Sequence, residues 1–183
     1  LTDLFQYRFE RGNGLKGHNF GNLFIVAMSE ITNSFEQALA ESSRVLAVHG
    51  QVLPATLANL KLRARFTDGE VVDGESHIAD RRGEIDRLFI DPVDAHASPM
   101  AIEAIEQADL VVIGPGSLYT SILPNLLVRG IADALSRSSA PRLYVCNVAT
   151  EMGETQGFCV ADHLATLQRH TFASIADFVI ANH

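Results

Sequence analysis

The apolar run Leu110-Val111-Val112-Ile113 ends at the corner Gly114-Pro115-Gly116, and four hydroxyl side chains follow, Ser117, Tyr119, Thr120 and Ser121, with no charge among them. Glycines at a strand end let the backbone turn and approach a ligand with no Cβ in the way. An anion held there would meet amides, hydroxyls and a helix start. The competing reading is a glycine-rich turn that binds nothing. Sharper motifs are excluded. The Gly-Lys-Ser/Thr ending of a P-loop is missing, and Tyr119 stands where a dinucleotide fingerprint needs its third glycine. Ser117 has Pro115 and Tyr119 where a nucleophile elbow needs glycines.

Two further groups sit at places where such chemistry is positioned. Gly17, His18, Asn19, Gly21 and Asn22 put an imidazole and two amides at a helix entry. They suit a phosphate or a sugar, and Asn19 equally suits a helix cap. Asn147, Thr150, Glu154 and Thr155 follow a second predicted strand, at the same sheet edge as Gly114, which implies a crevice between the two loops. Glu154 reads as an acceptor for sugar hydroxyls, as a magnesium ligand or as a solvated loop acid. The histidines offer no catalytic pair. His163 and His170 lie seven apart on a predicted helix, too far for one metal, His77 reads as an exposed loop and His96 as a helix approach. The pattern from Gly12 to Gly17 satisfies G-x-G-x-x-G, but no buried strand precedes it.

The elements that carry these groups follow from periodicity. Leu1, Leu4, Phe5 and Phe9 predict a helix ending at Arg11 or Gly12. Leu23, Phe24, Ala27, Met28 and Ile31 predict a second, and Asn33 or Ser34 caps a third bearing Phe35, Ala38, Leu39 and Ser42. Val45 to Val48 reads as a strand. Leu60, Leu62, Ala64 and Phe66 alternate with Lys61, Arg63 and Arg65 up to a turn at Asp68-Gly69, a hairpin expected at an edge or as a flap. Leu88 to Ile90 is the next strand, and Ser98-Pro99 opens a helix. Strands 110–113, 143–146 and 178–180 then alternate with helices 126–135, expected to start near Pro124, and 160–167. The fold class is α/β, three-layer, with a mostly parallel, Rossmann-like sheet, helices on both faces and a β-hairpin.

Composition bounds the rest. The chain has 183 residues, 47% hydrophobic and 20% charged, which fits a single domain over 1–183 and excludes wholesale disorder. A net charge of −8 argues against non-specific nucleic-acid binding, which needs Lys and Arg on phosphates. No apolar stretch is long enough for a membrane span, and the first residues are charged rather than signal-like, so the cytoplasm is the expected location. Cys146 and Cys159 have apolar neighbours and read as buried thiols. A chain that opens on Leu1 reads as a fragment.

Four blocks in one order, GLKGHNFGNL from Gly14, VLPAT from Val52, GPGSLYTSILPNLLVRGI from Gly114 and GETQGF from Gly153, resemble the bacterial gluconeogenesis-factor family, YvcK. More weakly the chain is similar to CofD-type 2-phospho-L-lactate transferases, which share a Ser-Ile-x-Pro element like Ser121 to Pro124. The resemblance implies a CofD-like domain and a cytoplasmic regulator of cell shape and cell-wall precursor supply. Its ligand would be a nucleotide sugar such as UDP-N-acetylglucosamine, with the diphosphate near the Gly114 to Ser121 loop. The implied contacts are Gly17, His18, Asn19, Asn22, Gly114, Pro115, Gly116, Ser117, Tyr119, Thr120, Ser121, Asn125, Asn147, Thr150, Glu154 and Thr155. No metal or cofactor is implied, except magnesium under the transferase alternative. Expected partners are a regulated enzyme and a second copy of the chain, with neither nucleic acid nor membrane. Family members carry an upstream Gly-Gly-Gly-Thr-Gly strand turn and continue past the strand near His183, so the resemblance also implies a missing N-terminal strand and C-terminal end.

Overall fold

The computed structural model describes residues 2–11 and 13–182; Leu1 and Gly12, where the expected first helix begins and ends, lie outside that range, as does His183. The chain divides into two compact units, Leu1–Pro54 and Ala55–His183.

In the first unit the opening helix is short, α1 (Thr2–Gln6). After it the backbone extends and pairs with the residues before the next helix: Phe9 N–H donates to His18 O at 3.0 Å and Phe20 N–H to Tyr7 O at 2.8 Å. Phe9 therefore lies in a ladder rather than a helix. Asn19 caps α2 (Phe20–Thr32), its side chain accepting the Asn22 N–H at 3.3 Å, and Ser34 caps α3 (Phe35–Val45) in the same way. Phe5 packs edge-on against Phe20 and Phe24 at centroid distances of 5.4 and 5.2 Å. The strand expected at Val45 to Val48 does not form. Helix α3 runs through Val45, and Val48 N–H returns to Ser43 O at 2.9 Å, closing the helix end.

The second unit contains two sheets of three strands each among the described residues. In β1 (Lys61–Phe66) the alternation places Ala64 and Phe66 in the core while Lys61 and Arg65 face water. β2 (Val71–Asp73) pairs with one side of β1, across the turn where Asp68 Oδ1 accepts Glu70 N–H at 3.1 Å. β3 (Ile85–Asp91) pairs antiparallel with the other side. The predicted hairpin forms, with β2 at the edge of a separate antiparallel sheet whose middle strand is β1. Helix α4 (Glu75–Asp80) packs on β1 and β2 and carries His77, which is therefore helical and not loop.

The parallel sheet runs in the order β4 (Val111–Ile113), β5 (Arg142–Val145) and β6 (Phe178–Ile180). Helix α5 (Pro99–Glu106) leads into β4, and α8 (Val160–His170) connects β5 to β6. Between β4 and β5 the expected single helix is three pieces. A π-helical turn spans Leu118–Ile122, α6 follows at Leu123–Leu127, and α7 at Ile131–Arg137. Gly130 at φ +100° breaks α6 from α7, a backbone state that favours glycine. Arg142 fixes the register of β6, since Asp177 Oδ2 accepts its backbone N–H at 2.8 Å and Oδ1 accepts from Nη2 at 2.9 Å.

The fold is α/β as expected, with a parallel sheet and helices, and the antiparallel strands form a separate small sheet. One face carries Ile113 and Tyr144, both buried in a core with Leu118, Tyr119, Leu123 and Leu167. The opposite face carries Val112 and Phe178, in register through Leu143, and these are 52% and 62% exposed. Of the two thiols, Cys146 is buried; Cys159 is exposed, because it is the residue preceding α8 rather than part of an apolar strand.

Candidate functional site

Strand β4 ends where Gly114 adopts φ +84°, and a Cβ built there would lie 2.9 Å from Val145 O on the neighbouring strand. Only glycine fits so close to a parallel neighbour. The chain then turns through a cis Gly114–Pro115 bond. Gly116 N–H donates to Asn147 Oδ1 at 3.1 Å, and Asn147 Nδ2 donates to Glu151 Oε1 at 3.3 Å. The loops after β4 and β5, expected at one sheet edge, are thus hydrogen-bonded to each other.

Glu154 makes a second link. Its carboxylate accepts the Tyr119 N–H at 3.2 Å and the Thr120 Oγ1–H at 2.7 Å. It is 7% exposed, and burial pushes its pKa above the usual carboxylate value, with the two hydrogen bonds pulling the other way. A solvated loop acid is therefore ruled out. Among the described residues no group of three or more His, Cys, Asp or Glu side chains is placed to hold a metal.

Two of the sequence-derived contacts belong to the interior instead. Tyr119 is fully buried, its hydroxyl donates to Ile85 O at 3.3 Å, and burial raises its pKa. Its ring lies in the core cluster with Leu118, Leu123 and Tyr144. Thr155 is likewise buried, its Oγ1 accepting the Glu151 N–H at 2.9 Å within its own loop. Ser117 supplies the carbonyl that receives Ser121 N–H at 3.0 Å and Ile122 N–H at 2.9 Å, closing the turn. Thr150 is exposed.

The hydroxyl loop is a partition. On one side, Gly114, Pro115, Ser121 and Asn125 rim a cavity of about 370 Å³ with an apolar floor that includes Val111, Ile122 and Leu126. On the other, Thr120 and Pro124 close a cavity of about 500 Å³ against β1 and α4. Glu154 lines a third of about 560 Å³ with Glu84, Gly157 and Asp162. Within the second unit the expected contacts thus line separate cavities. Gly17, His18, Asn19 and Asn22 lie in the first unit, where Asn19 is the helix cap and Gly17 O accepts from Arg8 Nη1 at 2.6 Å.

Sequence reasoning missed Glu151 and the residues of the Thr120-side cavity. The signal for Glu151 was its spacing of four from both Asn147 and Thr155. Lys61 and His77 carried none, since only the pairing of β1 with β2 and the return of α4 bring them together.

A family model described as 2-phospho-L-lactate transferase CofD matches residues 1–183. A relative from Nostoc sp. is 58% identical over 167 residues, covering 91% of this chain and 37% of its own length. One from Bacillus subtilis, named gluconeogenesis factor, is 47% identical over 182 residues, covering 100% of this chain and 57% of its own. A crystal structure of a UPF0052-family protein from Bacillus halodurans is similar at a TM-score of 0.91 and 46% identity, covering 98% of this chain and 58% of that one. The chain therefore spans roughly a third to three-fifths of the length of these proteins.

Proposed function

The chain belongs to the CofD family, and from that premise we propose that it forms the nucleotide-sugar-binding part of a regulatory protein serving growth on gluconeogenic carbon. The observation that carries this reading is the corner Gly114-Pro115-Gly116, which turns the chain at the carboxyl end of a parallel strand and is held by Asn147 from the next loop. Open parallel sheets bind ligands at such an edge. Uncharged rim groups, Ser121 and Asn125, suit a phosphate ester bound without a cation. The name gluconeogenesis factor, carried by the Bacillus subtilis relative, supports the regulatory part of the proposal. UDP-N-acetylglucosamine is the ligand proposed. A cytoplasmic location, a link to cell shape and cell-wall precursors, self-association and a regulated enzyme partner belong to the same proposal.

A transferase is the second reading, favoured by the description of the matching family model. Incubating the intact protein with labelled UDP-N-acetylglucosamine separates the two. A regulator shows saturable binding and returns the ligand unchanged. Magnesium-dependent release of a nucleoside monophosphate, lost by orders of magnitude in Glu154→Gln, would overturn the regulatory reading.

A further inference from the structure

The cavity on the Thr120 side of the partition has a chemistry of its own. It is lined by Lys61 at the start of β1, Ser76 and His77 of α4, and Thr120 of the π turn, over a floor of Leu60, Leu62, Ile90 and Pro124. We propose that it receives an uncharged polyhydroxylated ring.

The hydrogen-bonding roles of its rim are fixed by neighbours. Thr120 gives its hydroxyl proton to Glu154 Oε1 at 2.7 Å, so toward any other group its oxygen is an acceptor. His77 Nδ1 lies 3.0 Å from Asp73 O, a carbonyl that can only accept, so Nδ1 donates there and Nε2 is the ring nitrogen left to meet a ligand. The Asp73 carboxylate is engaged with Arg63 Nε at 2.8 Å. Glu75 adds an acceptor, while Lys61 and Ser76 supply donors.

A phosphate dianion brings only acceptors, and would oppose its lone pairs to those of Thr120 and Glu75. A hydroxyl both donates and accepts, so it satisfies either kind of partner. The apolar floor meets the C–H face of a ring, and a volume of about 500 Å³ is ample for one. This inference rests on the nucleotide-sugar reading and deepens it: the corner side of the turn takes the phosphates and the Thr120 side takes the sugar.

The test uses the intact protein with four probes, UDP, UDP-N-acetylglucosamine, free N-acetylglucosamine and inorganic phosphate, followed by calorimetry and by the NMR signals of the His77 ring. The free sugar is expected to shift the His77 signals, whereas inorganic phosphate leaves them in place. His77→Leu is expected to weaken UDP-N-acetylglucosamine about tenfold, the loss of one to two hydrogen bonds, with UDP affinity unchanged. His77→Gln, which restores an acceptor, should recover much of it. If UDP fails to bind while the free sugar still shifts His77, the corner reading falls and the cavity stands. If UDP binds but the sugar neither moves His77 nor adds affinity sensitive to His77→Leu, the cavity proposal is overturned and the corner reading stands.

Discussion

Asn147 Oδ1 accepts the Gly116 N–H at 3.1 Å, so a side chain from the loop after β5 fixes the backbone of the loop after β4. Replacing it with leucine removes this acceptor and the donor to Glu151, at a cost of about 1 kcal/mol per lost bond. UDP affinity should fall along with stability, because the corner loses the constraint that shapes it. Urea unfolding and calorimetry on Asn147→Leu check both, and unchanged UDP affinity would remove the corner from the binding site.

The two glycines of the corner are not equivalent. A Cβ on Gly114 would press on Val145 O at 2.9 Å in a left-handed conformation, whereas one on Gly116 would meet Ser121 Cβ at 3.4 Å, an ordinary contact. Gly114→Ala is expected to cost at least 1–2 kcal/mol from the backbone conformation alone. Gly116→Ala should fold with little loss, so that any drop in nucleotide affinity reports on the site. Thermal unfolding of the pair distinguishes them; equal destabilisation would contradict the geometry.

Tyr119→Phe separates a core tyrosine from a ligand contact. Its hydroxyl bonds to Ile85 O inside the protein, so the variant should lose about 1 kcal/mol of stability and no nucleotide affinity. Weakened UDP-sugar binding with unchanged stability would place the hydroxyl in the site after all.

Two buried groups give opposite pH dependence. Burial raises the pKa of Glu154 from 4.5, so the folded chain holds a proton that the unfolded chain has released. Its contribution is full below 4.5 and is lost as pH rises through the folded value. Burial lowers the pKa of His170 from 6.5; its Nδ1–H donates to Thr166 O at 2.8 Å, and Nε2 accepts the Leu88 N–H at 3.1 Å. That contribution is full above 6.5 and is lost as pH falls from there through the folded value. Denaturant unfolding across this range should therefore show His170→Gln flattening the loss on acidification. Glu154→Gln should instead flatten the loss on alkalinisation. Parallel profiles for wild type and either variant would contradict the burial of that group.

Much of this was legible from local pattern. The β1 alternation, the caps at Asn19 and Ser34, the parallel strands around Tyr144 and the glycine corner all follow from spacing and residue type. Errors arose where tertiary packing decides. Val45 to Val48 is apolar and β-branched enough to read as a strand, yet it ends a helix whose buried face is set by Ala38, Leu39 and Ser42. Tyr119 reads as a loop hydroxyl because periodicity gives no sign of the helical turn that spans Leu118–Ile122 or of the Ile85 carbonyl that its hydroxyl meets. Glu154 looked exposed because its donors, Tyr119 and Thr120, lie 35 and 34 residues away in sequence.

The exposure of Cys159, with Cys146 buried, makes the chain its own labelling scaffold. A maleimide fluorophore has one accessible target, and that target precedes α8, five residues after Glu154 and next to Phe158, which lines the same cavity as Glu154. Because the Cys159 N–H donates to Asp162 Oδ2 at 2.7 Å in the cap of α8, the rate of alkylation at Cys159 follows fraying of that helix end. Changes in the Glu154 loop on adding a ligand can be followed by the emission of a single dye, with no engineered cysteine and no substitution.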